Sequence, residues 1–223
     1  MERVVDGGVT FELRRWTAVA RKAKAPRTGN PFLPPDPDLL VAELGSHRVV
    51  LNKFPVFHDH LLLVTPTFVP QDSPLEEADL GALLAAMAAG PALGFYNSGP
   101  RSGASQPHRH LQLVRLDAGA FALLDALDRA PFVALPAPVT ADPASAWAAY
   151  DRLLTRIGRD TPYNLLVAHG RMWMVPRRAE HAEGVSVNAL GFAGSLFAGS
   201  REALAHLRAR GPLRVLVEVG VPR

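Results

Sequence analysis

The stretch Gly103-Ala104-Ser105-Gln106-Pro107-His108-Arg109-His110-Leu111-Gln112-Leu113 sets His108, His110 and Gln112 at alternate positions and runs on into apolar residues. Alternation is the period of a β-strand, so the three side chains share one face, roughly 7 Å apart along it. Two imidazoles and an uncharged amide converging on one small volume suit a phosphate. An imidazole nitrogen can attack phosphorus to form a phosphoramidate, splitting one difficult transfer into two easier ones. A carboxamide can donate to a phosphoryl oxygen without neutralising the nucleophile. Gly103, Ser105 and the Asn97-Ser98-Gly99 turn add hydroxyl and backbone donors, and a glycine-rich bend lets N–H groups approach an anion closely. An arbitrary His-x-His is more often a surface strand with solvated rings; the flanking glycines, Ser105 and Gln112 favour the chemical reading.

The elements that must position this strand are legible in outline. Ser73-Pro74-Leu75-Glu76 reads as a capping box that opens a helix running to about Ala89 and stopping at Gly90-Pro91. Asp142-Pro143 opens a second helix, with Trp147, Tyr150, Leu154 and Ile157 as a core stripe and Gly158 as its stop. A third runs from about Ser200 to Arg210. Runs rich in Val, Leu, Phe and Trp predict strands at 49–53, 61–65, 94–97, 108–115, 164–168, 171–175 and 213–219. The hairpin-like stretches 52–66 and 164–176 form a weak internal repeat. The fold class is α+β, an antiparallel sheet with packed helices. No βαβ unit with a Gly-x-Gly-x-x-Gly turn appears, which argues against a dinucleotide-binding domain.

With 223 residues, 48% of them hydrophobic, the chain can bury one core. The expected organisation is a single catalytic domain over 1–223, with an N-terminal half at about 30–115 and a C-terminal half at about 160–223. A net charge of +3 with no polybasic tail favours an anionic partner and suits a polyphosphate as well as nucleic acid. The basic stretch Arg14-Arg15-Trp16 with 21–27 reads as a solvated helix face and not as a nucleic-acid contact. The absence of Cys excludes disulfides and thiolate metal sites. Glu2, Asp6 and two glycines in the first ten residues do not make a signal peptide, and the apolar run 80–96 is too broken to span a bilayer. A cytoplasmic protein without membrane contact is the expectation.

Several segments together resemble one family. Tyr96-Asn97-Ser98-Gly99, Gly103-Ala104-Ser105 and Ser105-Gln106-Pro107-His108-x-His110-x-Gln112 look like the active-site segment of diadenosine tetraphosphate (Ap4A) phosphorylases, or ATP adenylyltransferases, in the histidine triad superfamily. The proline-rich stretch 30–37, Leu51-Asn52-Lys53-Phe54-Pro55 with the run 60–65, and Tyr163-Asn164-Leu165-Leu166, 173–177 and 186–194 are similar to its other parts. The likeness extends from about Asn30 to Gly199. It implies a histidine-triad-like sheet in two pseudo-repeated halves, with the catalytic strand kept only in the first.

The resemblance also implies roles. His110 would be the nucleophile that takes an adenylyl group, His108 would orient the site and hold a phosphate, and Gln112, where hydrolases of the superfamily carry a third histidine, would bind the transferred phosphate. Lys53, Asn97, Ser98, Gly103, Ala104, Ser105 and Gln106 would grip the polyphosphate, and Asn188, Ala189 and Leu190 would help close the site. Fungal members tend to carry a lysine where this chain has Gly199. The implied reaction is phosphorolysis of Ap4A to ATP and ADP and its reverse. Acceptor alternatives are ADP with sulfate, water, or a sugar phosphate as in the related uridylyltransferases; the reading from another class is a nucleotide-binding module without turnover. Partners are then nucleotides and phosphate, the chain a monomer or homodimer, with no covalently bound cofactor and any magnesium carried by the nucleotide. His58 and His60 could in principle join His108 and His110 around a metal; the resemblance makes His58-Asp59-His60 a hairpin turn instead. His47, His169, His181 and His206 stand alone and read as surface or capping residues.

Overall fold

In the computed structural model, which describes residues 1–15, 29–116 and 121–223, the chain opens with a hairpin of β1 (Glu2–Asp6) and β2 (Val9–Arg15). Arg14 and Arg15 therefore lie on a strand and not on a helix; Trp16 and 21–27 fall outside the described residues. Eight further strands build the central sheet: β3 (Leu40–Leu44), β4 (His47–Leu51), β5 (Leu61–Val64), β6 (Ala92–Asn97), β7 (His110–Arg115), β8 (Leu135–Pro138), β9 (Tyr163–Ala168) and β10 (Arg171–Pro176). Their order is β3-β4-β5-β7-β6-β9-β10-β8, every neighbouring pair antiparallel. The hairpins β4–β5 and β9–β10 lie on either side of the β7–β6 pair.

One face of the sheet is covered by α1 (Glu77–Met87) and α2 (Pro143–Ile157). Leu80, Leu83, Tyr150 and Leu154 from these helices meet Leu63, Leu111 and Leu113 from the sheet. On the other face lie α3 (Ala189–Ala193), β13 (Ser195–Ala198), α4 (Arg201–Arg210) and α5 (Pro212–Val219), preceded by the short ribbon β11 (His181–Ala182) and β12 (Val185–Ser186). β13 pairs in parallel with β2. Phe11, Phe192, Leu196 and Leu216 pack there against Phe95, Val114, Leu166 and Val175. This cover leaves the β4–β5–β7 end of that face open, where Phe32, Val50, Leu62 and Val64 form a small separate cluster. His110 and Gln112 alternate with Val114 along β7 and so belong to this partly open face.

Three expectations are corrected. Residues 213–219 form helix α5, with Pro212 at its first position and Val215, Leu216 and Val219 buried at helical spacing; a short Val/Leu run reads alike in strand and helix until its period is set by what it packs on. Helix α1 starts at Glu77 after Glu76, not after Ser73. Asp79 closes the capping box on Glu76, whose N–H donates to Asp79 Oδ2 at 2.7 Å. Trp147 of the aromatic stripe remains 37% exposed, its indole N–H donating to Leu75 O (3.1 Å), while Tyr150 and Leu154 are core. The α2 caps, Asp142 and Gly158, and the α4 cap, Ser200, stand where the sequence places them.

Candidate active site

β7 occupies the middle of the sheet, with His110 and Gln112 on it and His108 just before its start. His110 is 3% exposed and its Nδ1 lies 2.8 Å from His108 O. A carbonyl can only accept, so Nδ1 holds the hydrogen and Nε2 keeps its lone pair. Burial pushes the His110 imidazole down to about 4, which leaves it neutral at pH 7. Among the described residues no partner occupies Nε2, the atom the alternating pattern aims into the site.

His108 is fully buried. Its Nε2 meets Thr65 O at 3.0 Å and Thr65 Oγ1 at 2.8 Å, so it is the N–H end; Nδ1 then accepts from Asn30 Nδ2 at 2.8 Å. Burial lowers its pKa too. Phe32 packs against both rings, with centroids 5.5 Å from His108 and 5.6 Å from His110.

The placement of His60 overturns its reading as part of a turn. It directly precedes β5, is 4% exposed, and its Nε2 stands 2.9 Å from Gln112 Oε1 while Nδ1 stands 3.2 Å from Asn52 Nδ2. Burial brings its pKa to about 4. The relay Asn52→His60→Gln112 occupies the carbonyl end of Gln112, so its NH2 end is the one left to meet an anion. Alternation of His60 with Leu62 and Val64 was the available sequence signal. Asn30, Phe32 and Thr65 went unmarked as individual residues because nothing local distinguishes them.

Both neutral imidazoles have a stability consequence. Unfolded histidine titrates near 6.5, above the folded values of about 4, so the unfolded chain binds more protons between those limits. The contribution of His60 and His110 is present above pH 6.5 and lost as pH falls toward 4, on the order of 3 kcal/mol for each. Urea midpoints are expected to fall steeply over that window, and equal midpoints at its two ends would contradict neutral, buried rings.

Two cavities of about 450 and 490 Å³ open beside β4 and the loop that follows it and share Leu39, Leu51, Asn52 and Lys53; no residue of β7 lines either. The first is walled by Phe32, Pro34, Phe54, Leu62 and Gln106, the second by Arg14, Phe57, His58 and His60. Lys53 Nζ at their common edge pairs with Asp36 Oδ2 (3.1 Å) and is more than half exposed.

The remaining predicted residues divide by what occupies their polar groups. Gly103 and Ala104 donate their N–H groups within the turn, to Pro100 O and Gly99 O. Gly103, at φ +86°, lies where a Cβ would come within 2.7 Å of Val187 O, so only glycine lets this turn close on the C-terminal segment. Ser105 is exposed and Gln106 half-buried at the first cavity. Ser98 Oγ donates to Tyr163 O (2.9 Å) and accepts from Tyr163 N–H (2.7 Å), fixing β6 to β9. Asn97 Oδ1 accepts from Asn164 Nδ2 (2.8 Å) and Ala189 N–H (2.9 Å). Asn188 caps α3, and Leu190 is wholly buried. Behind them Arg177, 2% exposed, donates to Asn164 Oδ1 (2.6 Å) and Val187 O (2.9 Å). Burial lowers its pKa to about 10, so it stays charged at neutral pH. The C-terminal half is thereby bonded to the turn that faces the histidines. Gly199 is exposed at the end of β13.

An antiparallel sheet whose central strand presents a neutral His-x-His-x-Gln set defines a nucleotidyltransferase of the histidine triad type. The sequence profile of the Ap4A phosphorylase N-terminal domain matches residues 1–126, and that of the ATP adenylyltransferase C-terminal domain matches 125–222. The chain belongs to this Ap4A phosphorylase/ATP adenylyltransferase family. Diadenosine 5',5'''-P1,P4-tetraphosphate phosphorylase 2 of Saccharomyces cerevisiae is 28% identical, over 84% of this chain and 74% of its own length. Protein APA1 of the same yeast is 34% identical over 43% of this chain and 34% of its own. The crystal structure of yeast Ap4A phosphorylase Apa2 in complex with Ap4A superposes with a TM-score of 0.82 at 25% identity, covering 99% of this chain and 89% of that one. Among the described residues no helix is long and apolar enough to cross a membrane.

Proposed function

We propose that this protein cleaves Ap4A by phosphorolysis, yielding ATP and ADP, and runs the reverse transfer, through an adenylyl group carried on His110. The observation that carries the reading is the bond from His110 Nδ1–H to His108 O, made by an imidazole that burial keeps neutral. It aims the Nε2 lone pair at an α-phosphorus. The N–P bond forms as the P–O bond to the leaving ATP breaks, and the positive charge arising on the ring is stabilised through Nδ1–H by the His108 carbonyl. Phosphate oxygen then attacks the same phosphorus, breaks the N–P bond and leaves as ADP, returning His110 to its neutral form.

Gln112 NH2, directed by His60, serves the transferred phosphate in this scheme, while Lys53 and Gln106 serve the rest of the chain. Unit charges 4 Å apart interact by about 4 kcal/mol at an effective dielectric of 20, so the cationic Lys53 edge matters when two anions meet. The first cavity, apolar with a few polar groups, fits a nucleoside. Both ring nitrogens of His108 and of His60 are engaged, which supports magnesium travelling with the polyphosphate and not held by these rings. One chain carries every residue invoked, so a monomer suffices and a homodimer need share no site.

The test is incubation with Ap4A, with and without inorganic phosphate, followed by chromatography and intact mass. ATP and ADP formed only with phosphate, with an adenylyl adduct on the protein in its absence, is the expected result. ATP with AMP and no need for phosphate would make the protein a hydrolase, and no turnover would overturn the reading.

A further inference from the structure

β6 and β7 pair from Ala92↔Arg115 to Phe95↔Gln112. Continuing that register would set Asn97 against His110, yet the ladder ends first. The carboxamide of Gln71 sits between the two instead. Its Oε1 accepts from His110 N–H at 2.8 Å, and its Nε2 donates to Asn97 O at 2.8 Å and His110 O at 3.3 Å. One side-chain amide thus does for His110 and Asn97 what a peptide unit does in a ladder. Gln71 is 2% exposed, and its own backbone is fixed: its N–H donates to Pro107 O at 2.8 Å, Arg109 N–H donates to Val69 O at 2.8 Å, and the Tyr96 hydroxyl donates to Gln71 O.

We infer that Gln71 is a positioning residue for the transfer step: it sets the backbone of His110, and through it the Nδ1–H bond to His108 O and the aim of Nε2. This rests on the phosphorolysis reading for its kinetic consequence but not for its structural one. The Gln71 carboxamide fills the opening between β6 and β7 and so sets the spacing of His110 from Asn97 and the glycine turn that follows it. A ladder closed by direct Asn97–His110 pairing would draw the two strands together and shift the His110 backbone. Gln71 keeps the strands apart while pairing His110 N–H, His110 O and Asn97 O, a condition that a smaller or apolar side chain cannot meet.

The experiment compares wild type with Gln71→Glu and Gln71→Met. Glutamate keeps the acceptor for His110 N–H but turns a carboxylate oxygen toward two carbonyls; methionine keeps the length and removes donor and acceptor. Turnover of Ap4A with phosphate, equilibrium binding of AMP, and the ring 15N shifts of His110 are measured on the full chain. A misplacement of about 1 Å at a reacting atom costs about 100-fold, so kcat is expected to fall about 100-fold in both variants while AMP affinity stays near that of wild type. The His110 shifts should lose the pure Nδ1–H signature. Variants with wild-type kcat, or with kcat and AMP affinity lost in parallel, overturn the inference. If wild type itself does not turn over Ap4A, the phosphorolysis reading fails, and the ring shifts still report on Gln71. If neither variant folds, hydrogen exchange in wild type decides: the His110 amide should be protected as Leu111 is, and fast exchange overturns the inference.

Discussion

A His110→Ala variant is expected to lose phosphorolysis by about 10⁴-fold or more and to form no adenylyl adduct, while binding AMP about as well as wild type. The reasoning is differential: in the proposed reaction Gln112, Lys53 and Gln106 hold a phosphate in ground and transition states alike, whereas His110 Nε2 makes its bond only on the reaction path. His110 is also nearly buried, so part of any loss could be misfolding. Thermal midpoint and AMP titration on the same preparation separate the two. Turnover surviving at wild-type rate, with the adduct still present, would place the nucleophile elsewhere.

The second large effect concerns the opposite side of the same strand. Arg109 lies between the two histidines and points away from them, as a strand requires, but it is 2% exposed and not the solvated charge a surface arginine would be. Its Nη1 pairs with Asp79 Oδ2 at 2.8 Å and its Nη2 donates to Pro74 O at 2.8 Å. Asp79 Oδ1 also meets His47 Nε2 at 2.8 Å, so one buried carboxylate joins α1, β4 and the start of the catalytic strand. Removing one partner of a buried pair leaves an uncompensated charge, at a cost of about 3–5 kcal/mol. Asp79→Ala is therefore expected to lower the thermal midpoint by about 10 °C, at roughly 2–4 °C per kcal/mol for a chain of this size. A drop of a degree or two would show that the pair is loosely hydrated in solution.

How much of this was legible in the sequence depended on the range of the cause. Local causes read well: alternation placed His108, His110 and Gln112 on one face, and the caps Asp142, Gly158 and Ser200 marked their helices. Where a partner far along the chain decides, the reading failed. Asp79 displaced the α1 cap because Arg109 and His47 hold it. His47, isolated in sequence, is buried against that carboxylate. Residues 213–219 became a helix because the core they join demands buried positions at helical spacing. The resemblance makes 58–60 a hairpin turn, which holds for the exposed His58 and not for the buried His60. Gln71 sits in a proline-flanked stretch with no period at all, and only the missing rungs of the β6–β7 ladder reveal its work.

The sheet order carries one more consequence. β7 has bonded neighbours on both sides and helices α1 and α2 behind it, so His110, the proposed nucleophile, rides on the part of the molecule that opens least often. Asp36 and Lys53, by contrast, meet at the rim through one exposed ion pair, a contact weak enough to break and remake as ligands come and go. In the proposed reaction, tolerance for substrates of different length then resides in the rim at 34–39 and 53–54, while Asn30, Phe32 and Asn52, which hold the two histidines and Gln112 in place, belong with the strand they support.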